Sequence, residues 1–421
     1  TIMAFMAILS VLLIHIGISL YAGAVVFREF FGVDVITSIV FISVITAIYT
    51  VIGGLKAVVV TETIQTVLLL LGAVLVTVLA LVSLPEAGIH SLAEFKAALK
   101  PDQLSMLKTS NEDGFAWYAI LLGYPILGVW YWCSDQTIVQ RVLGSRTQLD
   151  GQHGALFAGL LKILPVFLMV LPGVIGYVLF RDAIGENASQ TFPVMINKLV
   201  PAGLRGLIAA AMLAALMSTI AAALNSVGTL VAIDIVKHFR PQTSDAAQVR
   251  IGAISAVTVM ALSMAWSTQG GRFGSIFEAI NKMPAQFLAP PITAVFVWGV
   301  FWRRGTKQAA MITLLLGFSL GIVAFLVDLP AFGDTQWITD PQKGLGVSFM
   351  MQAWWGFCLC SLIFIVASLL TPPPRAEEVA DVTWTSPLQV IFHGRLAGWH
   401  DPRLLATALL GLMVVLYAIF H

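Results

Sequence analysis

Apolar residues gather along this chain in eleven long runs, centred on 3–27, 35–52, 57–83, 116–140, 155–180, 204–236, 250–268, 274–302, 308–328, 347–371 and 403–420. Each is close to the roughly 20 residues that a helix needs to cross a bilayer, so the pattern predicts eleven spans. The connections between them are mostly short and polar. Two are longer: a mixed-charge loop over 85–115, with a weakly amphipathic stretch from Ile89 to Leu99 that predicts a short surface helix, and a Pro-rich linker over 372–402. The linker carries a second surface-helix candidate at Leu388 to Leu396.

Several runs are punctuated. Gly53-Gly54 separates the second from the third and permits a sharp reversal. The fourth holds Gly123-Tyr-Pro125-Ile-Leu-Gly128, and the eighth holds Pro284 and Pro290-Pro291 after Glu278, Asn281 and Lys282. These residues remove backbone hydrogen bonds, and interrupted helices are the sequence pointer to a transporter's binding site. The pattern predicts that the fourth and eighth spans are broken near their middles and act as a pair.

Composition narrows the class. With 58% hydrophobic and 11% charged residues and a mean hydropathy of +0.91, the chain has too little charge to clothe a soluble core of this size. It is expected to be an all-α polytopic membrane protein with the lipid bilayer as its partner. Basic residues concentrate at Lys56, Arg141 and Arg146, Lys237 to Arg250, Arg303 to Lys307 and Arg375 to Arg403. That bias places these loops in the cytoplasm, with a cytoplasmic start and an external C-terminus. A net charge of +1 gives no reason to expect a nucleic acid. Cys133, Cys358 and Cys360 lie in apolar runs and read as small packing residues. The sequence opens at Thr1 inside a hydrophobic run, which reads as an N-terminal truncation rather than a signal peptide. Asn187-Ala-Ser189 matches a glycosylation triplet that is common by chance.

Polar groups inside the runs supply the candidate chemistry. In the sixth, Ser218 lies one helical turn from the carbonyl of Ala215, with Thr219 beside it. Together they offer oxygens to one point, as a hard cation requires. The same hydroxyls also suit back-bonding to the helix or close packing against another. Glu62 shares a helical face with Gln65 and Thr66; it either snorkels to water or lines an inner vestibule. Tyr131 and Trp132 follow the fourth-span break and read as a cavity wall. Lys162 lies inside the fifth span, where a lysine at mid-helix costs about +2.5 to +3.5 kcal/mol unless it meets a partner or water; it suits substrate hydroxyls or snorkels. His15, mid-span in the first run, reads as a buried neutral imidazole. No metal-ligand pair or nucleophile-base constellation stands out, so an enzyme is not expected and no cofactor is implied.

Two long segments, Trp130-Tyr-Trp-Cys-Ser-Asp-Gln-Thr-Ile-Val-Gln-Arg141 and Gly206 through Ser218-Thr219 to Asn225-Ser226, carry a resemblance. With Glu62 and its neighbours and Leu288-Ala-Pro-Pro291 in support, the chain resembles the sodium/solute symporter family, its sodium/glucose cotransporter branch above all. The resemblance covers essentially the whole chain. It implies a leucine-transporter-like core of two inverted five-helix repeats, here with eleven of an expected fourteen helices. On that basis 1–84 holds the last three helices of the first repeat, 85–115 an external loop, 116–303 the second repeat, and 304–421 three peripheral helices. The implied sodium ligands are Ala215 through its carbonyl, Ser218 and Thr219, with Glu62 near a second ion path. Tyr131 matches the aromatic under a bound sugar, with Trp132 beside it. Lys162 matches a sugar-contacting lysine, and Asn281 stands where sugar carriers have a glutamine. Gly128 replaces a polar residue of the relatives. The implied activity is import of a small polyhydroxylated solute, a monosaccharide such as glucose or galactose, across a plasma or bacterial inner membrane. Another solute of the family (inositol, an amino acid, a vitamin or an organic acid), or a sodium-gated sugar sensor or channel, is the alternative.

Overall fold

The computed structural model describes residues 2–100, 103–109, 115–185, 190–270, 281–329, 336–380, 382–384 and 398–420, Glu29 by its backbone only. Glu278, the Asn187 triplet and the surface helix expected at Leu388 to Leu396 lie outside the described residues. The described residues form helices and connecting turns, and among them nine helices are long and apolar enough to cross a membrane. The difference from eleven has two causes. The second and third runs join in one helix, and the fourth forms a helical stretch that ends before Asp135 and is too rich in Trp and Tyr to be as apolar as the others.

The first helix, α1, covers Ile2–Arg28. Its continuation ends at Gly32, whose φ of 67° only glycine adopts cheaply. Asp34 then starts α2 (Val35–Val82) by accepting from the Thr37 amide at 3.0 Å. Bonds from the Thr37 side chain and amide hold the Asp34 carboxyl below its usual range. The backbone of α2 leaves the helical region only at Gly54 (φ 59°, ψ −165°), so its two spans meet at one residue that tolerates no Cβ. Beyond it, α3 (Leu92–Ala97) is the expected surface helix. Ser91 and Glu94 begin it with a reciprocal capping box.

The fourth run becomes α4 (Trp117–Val129), a π-helical turn at Trp130–Ser134, and α5 (Gln136–Leu143). The expected break at Gly123 to Gly128 falls instead at Trp130–Ser134, and α4 runs through Pro125. Packing accounts for this: a Cβ at Gly123 would stand 2.1 Å from the Met350 carbonyl oxygen, so the helix is pressed against its neighbour just where proline costs it a bond.

The fifth run is α6 (Gln148–Leu161) and α7 (Leu171–Ile184), separated by a turn at Lys162 and a π-turn at Val166–Val170. After α8 (Thr191–Leu199), α9 (Ala202–Thr229) carries the Ala-rich stretch and unwinds into a π-helix at Leu230–Lys237. Then follow α10 (Asp245–Ser267), a π-turn at Pro284–Leu288 leading into α11 (Ala289–Phe301), α12 (Lys307–Val327), α13 (Phe349–Leu370) and α14 (Pro402–Ile419).

The chain folds as two compact units: Thr1–Ser10, Met106–Gly154 and Arg272–His421 in one, Val11–Ser105 and Ala155–Gly271 in the other. In the first, α11 packs with α12, α13 and α4. Glycines set the approach: Gly317 faces the ring of Pro291 and the thiol of Cys360, and Gly356 faces the ring of Pro290. In the second unit, α9 packs along α2. At one end Val76 and Ala80 join Ile175, Met195, Ile196 and Ile208 in a buried cluster that also holds Phe95 of α3. Gly228 of α9 and Gly252 of α10 meet backbone to backbone. The three cysteines are unpaired thiols; Cys360 is buried as a packing residue should be, whereas Cys133, in the π-turn, is exposed. His15 lies half-buried in a π-helical turn of α1.

Candidate functional site

The cation-site candidates lie in the second unit, where α9 crosses both halves of α2. Val58, Ala221 and Ala222 pack into one small buried cluster with Tyr49 against it. Alanines at this contact let the two backbones approach closely. The cluster sets the register of what lies beside it: Glu62 is one turn beyond Val58, and Ser218 one turn before Ala221 and Ala222. The two meet, and the Ser218 hydroxyl donates to Glu62 Oε1 at 3.3 Å. Glu62 is half-buried and faces Ser218 of α9. Thr219, more exposed, donates to the Ala215 carbonyl at 3.3 Å. The back-bonding reading therefore describes Thr219, while Ser218 reaches across to another helix.

Tyr49 was not singled out by the sequence, where it reads as an apolar-run aromatic. Its hydroxyl donates to the Met217 carbonyl at 3.0 Å and pins α9 next to Ser218. Gln65, one turn beyond Glu62, has a buried Oε1 with no hydrogen-bond partner. A carboxylate, an amide oxygen, a peptide carbonyl and two hydroxyls thus gather on facing stretches of α2 and α9. Hard oxygens of this kind suit sodium. A hydroxyl keeps its lone pairs while it donates, so rotating its hydrogen away to face a cation gives up one bond worth about 0.5–1.5 kcal/mol.

Lys162 belongs to the same unit and stands exposed at the turn between α6 and α7, three residues before Pro165. The span is therefore broken at the lysine, a feature its apolar periodicity did not reveal. Thr77 of α2 donates back to the Ala73 carbonyl at 2.7 Å, with the Leu168 carbonyl of the adjoining π-turn 3.3 Å from its hydroxyl oxygen.

The other candidates lie in the first unit. Tyr131 is half-buried in the π-turn after α4, its ring 6.0 Å from Trp130 and 5.4 Å from Trp132, which is exposed. Asp135 ends the turn and caps α5 by accepting from the Thr137 amide at 2.8 Å, so the aromatics are held from both sides. A Cβ at Gly128 would meet nothing within 4 Å, so this position borders open space. The two interrupted spans are joined: Thr293 of α11 donates to the Ile126 carbonyl of α4 at 2.8 Å. Asn281 is half-buried at the start of the eighth span. Its neighbour Lys282 pairs with Asp328 at 2.8 Å. Burial pushes the Asp328 carboxyl up, but its bonds from Lys282 and Thr339 outweigh that and hold it below its ordinary value. No local pattern signals this pair, because its partners are 46 residues apart.

Comparison with known proteins gives the chain as a whole its relatives. Residues 1–317 match the sodium:solute symporter family. The chain is similar to a sodium/mannose cotransporter of Bos taurus, at 34% identity over 90% of this chain and 69% of that protein. It is also similar to a sodium/myo-inositol cotransporter of Homo sapiens, at 30% identity over 92% of this chain and 59% of that protein. The chain thus spans about three-fifths to two-thirds of the length of these relatives. Among solved structures it resembles a Na+-coupled sialic acid symporter in a substrate-bound outward-open state, with a TM-score of 0.67 and 22% identity over 88% of this chain and 74% of that one. At that identity the likeness carries the fold, which is the leucine-transporter-like fold expected above. With a family match over three quarters of its length, this multi-pass membrane chain belongs to the sodium:solute symporter family.

Proposed function

We propose that the full-length protein is a sodium-coupled importer of a small cyclic polyol, a monosaccharide such as glucose or galactose. The observation that carries this reading is the pairing of Ser218 with Glu62 beside the Ala215 carbonyl and Thr219. Ala215, Ser218 and Thr219 hold the coupling sodium, and Glu62 serves the same ion or a second one. Tyr131 and Trp132 close against the solute, Lys162 and Asn281 bind its hydroxyls, and Gly128 leaves room beside them. Residues 116–303 act as the second of two inverted repeats, and the basic loops face the cytoplasm of a plasma or bacterial inner membrane. The similarity to carriers named for mannose and for myo-inositol supports a ring of hydroxyls as the recognised chemistry and makes myo-inositol the principal competitor.

The energetics are sufficient. One sodium moving through 100 mV supplies about 2.3 kcal/mol, and a tenfold concentration ratio adds about 1.4 kcal/mol. Together they sustain accumulation of several hundredfold, and two ions would square that. Sodium bound between α2 and α9 favours the conformation that admits solute, so that each ligand raises the affinity for the other. Competition of sodium-driven uptake by glucose, galactose, mannose, myo-inositol, proline and lactate tests the solute class. Inhibition by the cyclic polyols alone is expected, and inhibition by proline or lactate alone overturns it.

A further inference from the structure

Asp328, at the end of α12, is fully buried (0% exposed) and has no part in the proposed transport steps. Its two carboxylate oxygens receive five donors. Lys282 Nζ lies at 2.8 Å and Gln286 Nε2 at 3.3 Å, the amides of Ile338 and Thr339 lie at 3.1 and 2.9 Å, and the Thr339 hydroxyl completes the set. Gln286 also donates to Gln352 of α13 at 2.6 Å, and Gln352 in turn donates to the Val347 carbonyl at 2.9 Å. One carboxylate therefore ties three things together: the start of the eighth span, the loop that follows α12, and α13.

The start of that span needs such a tie. Pro284, Pro290 and Pro291 contribute no amide, and the turn between them is π-helical, so the backbone's own hydrogen bonds brace the stretch from Pro284 to Pro291 poorly. Side chains do it instead. Gly321 lets α12 press against the turn, since a Cβ there would stand 2.5 Å from the Gln286 carbonyl oxygen and from Phe287 Cα. Lys282 is adjacent to Asn281, and Gln286 lies just over one turn farther on. Both are fastened to Asp328.

We infer that Asp328 is a positioning residue for Asn281: through Lys282 and Gln286 it holds the solute-facing start of the eighth span in its binding geometry without touching solute. This rests on the reading of Asn281 as a solute contact. A pair that served folding alone would set how much protein reaches the membrane and leave affinity unchanged.

The test is solute- and sodium-dependence of uptake by the full-length protein, with surface amount measured alongside. The unsubstituted protein is measured first; failure to show sodium-driven uptake of any cyclic polyol contradicts the transport reading and not this one. Asp328→Asn and Lys282→Met are each expected to raise the half-saturating solute concentration about tenfold, with half-saturating sodium and maximal rate per molecule little changed. Lys282→Arg, which keeps a cationic donor for the Asp328 carboxylate, is expected to recover most of the loss seen with Lys282→Met. Unchanged half-saturation at normal surface amounts overturns the inference, as does a Lys282→Arg variant no better than Lys282→Met. If neither single variant reaches the membrane, the pair is a folding device and the inference falls as well.

Discussion

Tyr49 Oη donates to the carbonyl of Met217 across 3.0 Å, joining α2 to α9 one residue before Ser218. The bond lies beside the Val58, Ala221 and Ala222 contact, so it fixes both the separation and the rotation of the two stretches that carry the proposed cation oxygens. Tyr49→Phe keeps the ring and removes the donor, at a cost of about 0.5–1.5 kcal/mol. The expected result is a two- to fivefold rise in the sodium concentration for half-maximal uptake with normal surface amounts; an unchanged sodium curve would mean that packing alone holds α9 in place.

The hydroxyls themselves should matter more. Removing either from Ser218 or Thr219 by alanine takes an oxygen from the proposed cation site and leaves the helix intact, since alanine is the best helix former. Sodium activation of uptake is expected to shift at least about tenfold, or about 1.4 kcal/mol. Glu62→Gln retains an acceptor for Ser218 and loses the charge, so it should weaken sodium activation while preserving the fold. A reduced steepness of the sodium curve in this variant would identify Glu62 with a second ion.

Lys162 stands at a break in its span, exposed and with three donors on a flexible stem. Lys162→Ala is expected to raise the half-saturating solute concentration severalfold and leave sodium activation alone. The opposite pattern, a sodium effect without a solute effect, removes Lys162 from the solute site.

Gly123 tests the packing that carries α4 past Pro125. A methyl group there would meet the Met350 carbonyl oxygen at 2.1 Å, and a backbone atom cannot rotate away. Gly123→Ala should therefore cost about 1–3 kcal/mol, the usual penalty of overpacking. It is read as a lower melting temperature of the detergent-solubilised protein; an unchanged melt would show that α4 and α13 separate easily.

The spans were legible because run length and apolar composition are local properties, and Gly54 announced the turn within α2 for the same reason. The interruptions were harder. A π-turn inserts one residue into a helix without altering composition, so Trp130–Ser134 was placed several residues early, at the glycines and proline that usually mark a break. In the fifth span, Lys162 lies in an otherwise apolar run, so nothing in the pattern of the run showed that the helix opens at the lysine. Partners distant in sequence were the least legible. Glu62 with Ser218, Tyr49 with Met217 and Lys282 with Asp328 each depend on how helices rotate against one another, which no single periodicity encodes.

Accumulation measured in sealed vesicles bearing the full-length protein reaches the central claim most directly. Labelled glucose, galactose, mannose and myo-inositol are followed with an inward sodium gradient, with a potassium gradient, and with sodium equal on both sides. The account predicts that at least one cyclic polyol rises well above its external concentration with the sodium gradient only, and that Ser218→Ala abolishes the overshoot. Uptake that stops at equal concentrations under all three conditions would contradict coupled transport.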